Sequence, residues 1–237
     1  MCLRNKKFFI LLFWLYSICN AADTCHPEIG DNDYVIGYGS LMSQSSAERT
    51  VGKIKERHPV NVTGFKRSFG LLTNFYNLKT AFLSVKNSTD NKMNGVMMKL
   101  TKNDVLNLDK REIGYCRLSI ERKNIEFLDQ FNFSNQEDNV WIYVLNDQKP
   151  VKEDDSYFLA QSYIDEFLGG CLEVNDEFSL SDFADNCVEL TSDWDSKVIS
   201  NDRIYPRRPI YEQPKAWIID ELLQNIVPIA IEHRVLE

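Results

Sequence analysis

Histidine is scarce in this chain: His26, His58 and His233 lie far apart, and no Cys-x-x-Cys pair accompanies them. A zinc centre built from closely spaced Cys and His ligands is therefore not expected. Positive charge is also short, with 27 Lys and Arg against 35 Asp and Glu and a net charge of −8. An acidic surface repels phosphate backbones, so nucleic-acid binding would need a local basic patch that the charge distribution does not offer. There is no internal repeat and no low-complexity tract, which excludes solenoid and collagen-like architectures.

What is present begins with export. Arg4, Lys6 and Lys7 precede an apolar run over 8–18, too short to span a bilayer comfortably, and Cys19-Asn20-Ala21-Ala22 follows. That is the pattern of a secretory signal peptide over 1–21, cleaved after Ala21, with an uncleaved anchor as the alternative. Lipidation at Cys19 is disfavoured by the bulk of Ile18. Cleavage removes three positive charges and no negative one, so the net charge moves from −8 to about −11. The expected location is secreted or periplasmic, with no membrane association after cleavage. Four cysteines remain, Cys25, Cys116, Cys171 and Cys187. In an exported chain they favour disulfides, Cys171 with Cys187 across a short loop and Cys25 with Cys116, against the alternative of buried free thiols. Asn61, Asn87 and Asn132 head sequons that matter only in a eukaryotic host.

The elements follow from periodicity. Residues 34–42 form an apolar strand that breaks into Gly37-Tyr38-Gly39-Ser40 and then a helix start, with Ser45-Ser46-Ala47-Glu48 as a capping box for a helix over 43–57. Period-two alternation places a strand at 60–72, and further strands are expected at 80–85, 95–100, 117–127 and 140–145, with 86–94 as a polar hairpin connection or surface excursion and 122–124 as a turn. Thr101 caps a short helix through Asp109. From Asp155, Leu159, Tyr163 and Phe167 repeat at helical spacing, and Gly169-Gly170 ends the pattern as a cap would. Further helices are expected at 178–190 and 215–226, and the Pro- and Arg-rich 202–209 between them as an extended strap. Its arginines pair with surface carboxylates or stand beside an anionic ligand.

Two features carry chemistry. The glycines of the 37–40 loop permit positive φ and close backbone approach, so the N–H groups of Gly39, Ser40 and Leu41 can converge on a carboxylate or phosphate, or simply form a turn. On the short helix, at 100° per residue, Glu112 projects about 20° from Val105 and about 40° from Leu108, while Lys110 and Arg111 point to solvent. A carboxyl at the end of a buried stripe is desolvated toward the range of a general base; alternatively Glu112 ends the helix and pairs with Arg111 or Arg117. Ser40 lacks the second glycine of a nucleophile elbow and an evident nearby histidine, and Cys116 is better placed for a disulfide. Glycoside chemistry would need a partner carboxylate for Glu112 that the sequence does not identify.

Tyr38-Gly39-Ser40-Leu41 after a strand, Gly64-Phe65-Lys66-Arg67, Gly95-Val96-Met97-Met98, Leu108-Asp109-Lys110-Arg111-Glu112, Tyr115-Cys116-Arg117 and Tyr163 ahead of Gly170 occur here in order. Together they resemble the gamma-glutamylcyclotransferase family. The resemblance implies an α+β fold with a small mixed β-barrel flanked by helices over 34–172, preceded by a segment 22–33. A helical extension over 173–237 lies beyond the family pattern, as a lid, a packing extension or a partner surface. It implies a small-molecule gamma-glutamyl substrate, no cofactor and no metal, with Gly39, Ser40 and Leu41 cradling the substrate α-carboxylate. Glu112 becomes the acid/base, and Tyr38, Tyr115 and Tyr163 line the pocket. Leu41 matches the glutathione-degrading branch, whereas Glu112-Ile113-Gly114-Tyr115 departs from the usual Glu-Gly form. The non-catalytic alternative is a ligand-binding or interaction protein on the same fold, and gamma-glutamyl transfer or hydrolysis at the same pocket is a third possibility.

Overall fold

A computed structural model describes residues 25–75, 78–133, 138–146, 156–208 and 215–236; the signal segment 1–21 and the last sequon position, Ser134, lie outside them. The larger of two sheets contains β1 (Asn32–Gly37), β2 (Arg57–Phe75), β3 (Leu78–Thr101), β4 (Tyr115–Ser119), β5 (Ile125–Phe127) and β6 (Val140–Leu145). Their order is β4-β6-β1-β3-β2-β5; β1 and β6 run parallel, and the other pairs along this path are antiparallel. The smaller sheet is parallel: β7 (Leu159–Ala160) and β10 (Arg234–Leu236) flank β9 (Ile199–Asn201), while β8 (Thr191–Ser192) pairs with β2. Helices α1 (Gln44–Val51), α2 (Lys102–Arg111), α3 (Gln161–Phe178), α4 (Phe183–Glu189), α5 (Ala216–Ile226) and α6 (Pro228–Glu232) complete the α+β fold.

The expected barrel is an open sheet. Closure requires the two end strands to meet in a consistent stagger; here β5 covers only Val60 to Val62 of β2, and among the described residues β4 and β5 do not pair. Alternation along the strands separates two cores. Val35, Met98, Leu100, Trp141 and Tyr143 face the helices, whereas Tyr34, Ile36, Met97, Val140 and Ile142 face a second apolar cluster on the other side. The helix-side core also takes Val174, Phe183, Val188, Ile219, Leu223 and Ala230, so α4, α5 and α6 pack into it.

Several expectations change. The strands expected at 80–85 and 95–100 are one strand, β3, and 86–94 is no hairpin connection: the register shifts between Thr63 and Phe65, where four residues of β3 bulge from the ladder. The segment expected at 117–127 runs as β4 on β6 and β5 on β2, divided by a 3-10 turn at 122–124, where the turn is expected. Helix α1 stops at Val51, and its cap is Ser43, whose side chain accepts from Ser46 N–H. Glu48 does not close a box with Ser45; it accepts from Gln44 Nε2 and Ile54 N–H instead. Leu159 lies in a strand, and α3 runs straight through Gly169-Gly170 to Phe178. Those glycines are not a cap. A Cβ on Gly170 would lie 2.2 Å from Ser43 N, so the glycine is where α3 touches the start of α1.

Both disulfides are formed, Cys25–Cys116 and Cys171–Cys187. The second joins α3 to α4; across a separation of 16 residues, such a link is worth roughly 3 kcal/mol in the chain-entropy picture. Among the described residues no helix is long and apolar enough to cross a membrane.

Candidate active site

Where β1 ends, the chain makes a single 3-10 turn, Ser40–Met42, closed by Met42 N–H on Gly39 O at 2.9 Å. The N–H groups of Ser40 and Leu41 precede that bond and have no partner within the turn. Gly39 has φ −127°, so positive φ is not what the loop requires. Close approach is: a Cβ on Gly37 would meet Leu41 Cβ at 2.8 Å, and one on Gly39 would lie 3.2 Å from the Tyr163 hydroxyl. The turn forms one wall of an inner cavity of about 30 Å³, which Tyr38, Leu83, Glu112, Tyr115, Tyr143 and Tyr163 help to enclose. An outer cavity of about 240 Å³ shares Ser40, Glu112, Tyr115 and Tyr163 with it and adds Leu71, Thr73, Phe82, Arg111, Ile113 and Arg208. The structure thus brings together every residue expected at the pocket, Tyr38, Gly39, Ser40, Leu41, Glu112, Tyr115 and Tyr163.

The carboxyl reaches this place by ending the helix, not by continuing its stripe. Thr101 and Asp104 cap α2 reciprocally, and Glu112 is its C-cap, with its N–H on Leu108 O at 2.8 Å. Gly114, at φ +100°, then turns the chain so that Tyr115 N–H returns to Glu112 O, leaving Ile113 76% exposed at the rim. The Glu112 side chain is 16% exposed. Burial raises its pKa above the ordinary carboxyl value, and Arg111 and Arg208 oppose that rise. Arg117, the other expected partner, binds Asp109.

Arg111 does not point to solvent as expected. Its Nε lies 3.4 Å from Glu112, and its terminal nitrogens donate to Ser40 Oγ, Ser46 O, Ser46 Oγ and Thr50 Oγ1, tying the end of α2 to the 3-10 turn and α1. The tyrosines are fixed by backbone. Tyr38 donates to Tyr143 O and Tyr115 to Leu83 O, both at 2.6 Å, while Leu83 N–H donates to the Tyr163 hydroxyl at 3.1 Å. Burial holds all three phenols neutral, so Tyr163 retains a hydroxyl proton to donate toward the cavity.

Beneath the turn, Arg67 is fully buried and donates to neutral acceptors: Thr191 Oγ1, Tyr38 O, Asn94 O, Asn94 Oδ1 and Cys187 O. Burial pulls its pKa down to about 9. It links the loop to β3, α4 and β8, and position 67 carries no local sign of this in an alternating strand. The strap arginines, expected on surface carboxylates, mostly meet buried ones: Arg203 bridges buried Asp165 and part-exposed Asp220, Arg207 lies against buried Asp202 and Arg208 against buried Glu166.

The Glu112 carboxyl has a measurable signature in stability. A carboxyl whose pKa is raised on folding contributes stability that is present below its unfolded pKa and lost as pH rises through the folded one. Glu112→Gln removes that loss, so thermal melts at increasing pH should show the variant gaining on wild type from about pH 4.5 upward, then holding a constant lead above the folded pKa. A difference independent of pH would contradict a desolvated carboxyl.

No protein-family model matches the chain, and no curated protein matches it. Solved structures do. One titled gamma-glutamyl cyclotransferase is 14% identical, over 68% of this chain and 89% of its own, with a TM-score of 0.49. An uncharacterized protein from Homo sapiens is 13% identical, over 69% and 90%, with a TM-score of 0.48. A yeast gamma-glutamyl cyclotransferase specific to glutathione is 14% identical, over 60% and 78%, with a TM-score of 0.39.

Proposed function

We propose that this chain is an exported gamma-glutamylcyclotransferase-like enzyme that releases 5-oxoproline from gamma-glutamyl peptides or amines. The observation that carries this reading is the position of Glu112: a desolvated carboxyl on the shared wall of both cavities, facing the Ser40–Met42 turn. The motifs from Tyr38 to Tyr163 add the family's order and spacing. The two disulfides suit an oxidising compartment outside the cytosol, to which the amino-terminal pattern would deliver the chain.

In this reading the N–H groups of Gly39, Ser40 and Leu41 receive the substrate α-carboxylate, and Tyr38, Tyr115 and Tyr163 close the pocket around the glutamyl chain. Glu112 takes a proton from the α-ammonium, freeing the nitrogen to attack the γ-carbonyl carbon of the same molecule. A ring C–N bond forms, and the carbonyl electrons move to oxygen. As they return, the bond to the departing nitrogen breaks and Glu112 gives its proton to that nitrogen; the second proton of the new ring nitrogen then passes through the same carboxylate to the released amine, which departs as ammonium and leaves Glu112 ionised again. Orientation does most of the work, because attack within one molecule needs no protein nucleophile. One carboxyl of raised pKa serves each of these proton transfers.

The test is product identification. The mature, oxidised protein, incubated with gamma-glutamyl dipeptides, gamma-glutamyl amines and glutathione, is expected to yield 5-oxoproline and the free amine by mass spectrometry. Glutamate would mean hydrolysis, a new gamma-glutamyl amide would mean transfer, and binding of the panel without any product would mean a binding protein on this fold.

A further inference from the structure

We propose that Arg111 is a positioning residue, whose single guanidinium holds the acid/base carboxyl of Glu112 and the Ser40 side chain of the cradle in a fixed mutual place. This rests on the reading above and adds the device that sets its geometry. In a gamma-glutamyl substrate the α-ammonium and the α-carboxylate share one carbon. The base that takes the proton and the turn that receives the carboxylate must therefore keep one separation, and a misplacement of about 1 Å can cost on the order of 10²-fold in rate. Glu112 stands at the end of α2 and Ser40 just past the end of β1, far apart in the chain. A group that touches both is what joins them.

Successive side chains on a helix do not face each other. Glu112 leaves the helix at φ −84° and ψ 51°, and there its Oε1 comes to 3.4 Å from Arg111 Nε. At the other end of the same guanidinium, Nη2 donates to Ser40 Oγ and Ser46 Oγ, both at 3.0 Å, and Nη1 to Ser46 O at 2.7 Å and Thr50 Oγ1 at 3.0 Å. The four terminal N–H donors thus meet four acceptors, and Arg111 acts on the substrate through Glu112 and Ser40. A planar fork can span both; a lysine ammonium is a point charge on a flexible stem. Charge adds a second effect. Burial pushes the Glu112 carboxyl up, Arg111 opposes this most and Arg208 of the strap next. Tyr38, Tyr115, Tyr143 and Tyr163 face it as neutral phenols, and Arg111 itself also feels Glu166, Arg208 and Arg49.

The experiment reads kcat against pH for gamma-glutamyl-alanine and glutathione, with wild type, Arg111→Met, Arg111→Lys and Ser40→Ala as mature, oxidised protein. Arg111→Met should lower kcat by roughly ten- to hundredfold. It should also move the acid limb of the profile up by about one pH unit or more, since loss of a neighbouring cation raises a carboxyl pKa. Arg111→Lys keeps the charge without the fork, so the limb should stay near its wild-type place while kcat still falls. Ser40→Ala cuts the cradle link alone and should lower kcat with the limb unmoved. Combined with either Arg111 variant it should add little, because both changes break one bridge. A merely structural role would scale the whole profile down with its limb in place, or let the two losses multiply, and either result overturns the proposal. Should Arg111→Met fail to fold, Arg111→Lys with Ser40→Ala carries the same additivity test. If wild type turns over neither compound, the reaction fails and stability reads the bridge instead. The pH at which the melting advantage of Glu112→Gln levels off should then be higher in an Arg111→Met background than in wild type; no change in that pH overturns it.

Discussion

Glu112→Gln should lower turnover of the best gamma-glutamyl substrate by about 10²–10⁴-fold, the range general acid–base groups contribute. The amide keeps the shape of the side chain and can still contact Arg111, 3.4 Å away in the wild type. It can neither take the ammonium proton nor return one to the leaving nitrogen. Folding should not suffer, because a neutral side chain at this largely buried position avoids the desolvation that raises the carboxyl pKa. The loss should therefore fall on kcat, with the melting temperature at neutral pH unchanged or higher. A variant that keeps its turnover would remove Glu112 from the chemistry.

Gly170→Ala should be the most damaging small change in the fold. The added Cβ would stand 2.2 Å from Ser43 N, 2.5 Å from Met42 C and 2.8 Å from Ser43 Cα, all of them backbone. No rotamer change relieves that, so α3 must move away from the start of α1. Overpacking of this kind costs about 1–3 kcal/mol, and more where only backbone can give way, and urea unfolding should register it as a lower midpoint with an unchanged slope. The turn that ends in Met42 is displaced by the same clash, so residual folded protein should also lose affinity for a gamma-glutamyl ligand. A stability within a few tenths of a kcal/mol of wild type would show that α3 and α1 do not meet as described.

That glycine shows where sequence reading stops. Gly169-Gly170 at the end of a helical pattern has the local form of a C-cap, and only Ser43, distant in the chain, reveals close packing instead. The three serines at 43, 45 and 46 pose the same problem: Ser45 with Glu48 has the form of a capping box, but the 3-10 turn just before places Ser43 at the cap. A continuous apolar run was enough to find β1 and β6, because both of their faces are buried, one on each core, and alternation found β2. Neither was enough to join 80–85 to 95–100 across a polar bulge. Within the site, Glu112 and the tyrosines were legible from motif order, whereas Arg111 was assigned to solvent because a helix projection ignores what α1 offers it. The buried acids that meet the strap arginines were hidden for a related reason: Asp165 and Glu166 sit on a helix whose sequence does not show which faces other elements cover.

The most direct test of intramolecular attack at Glu112 is the oxygen content of the product formed in ¹⁸O-enriched water. Cyclisation by the substrate's own amine keeps the original γ-carbonyl oxygen, so 5-oxoproline from the wild-type enzyme should carry no ¹⁸O and should appear with one equivalent of free amine. Glutamate bearing ¹⁸O in its γ-carboxylate, or 5-oxoproline labelled from water, would mean that water attacks first and would contradict the mechanism.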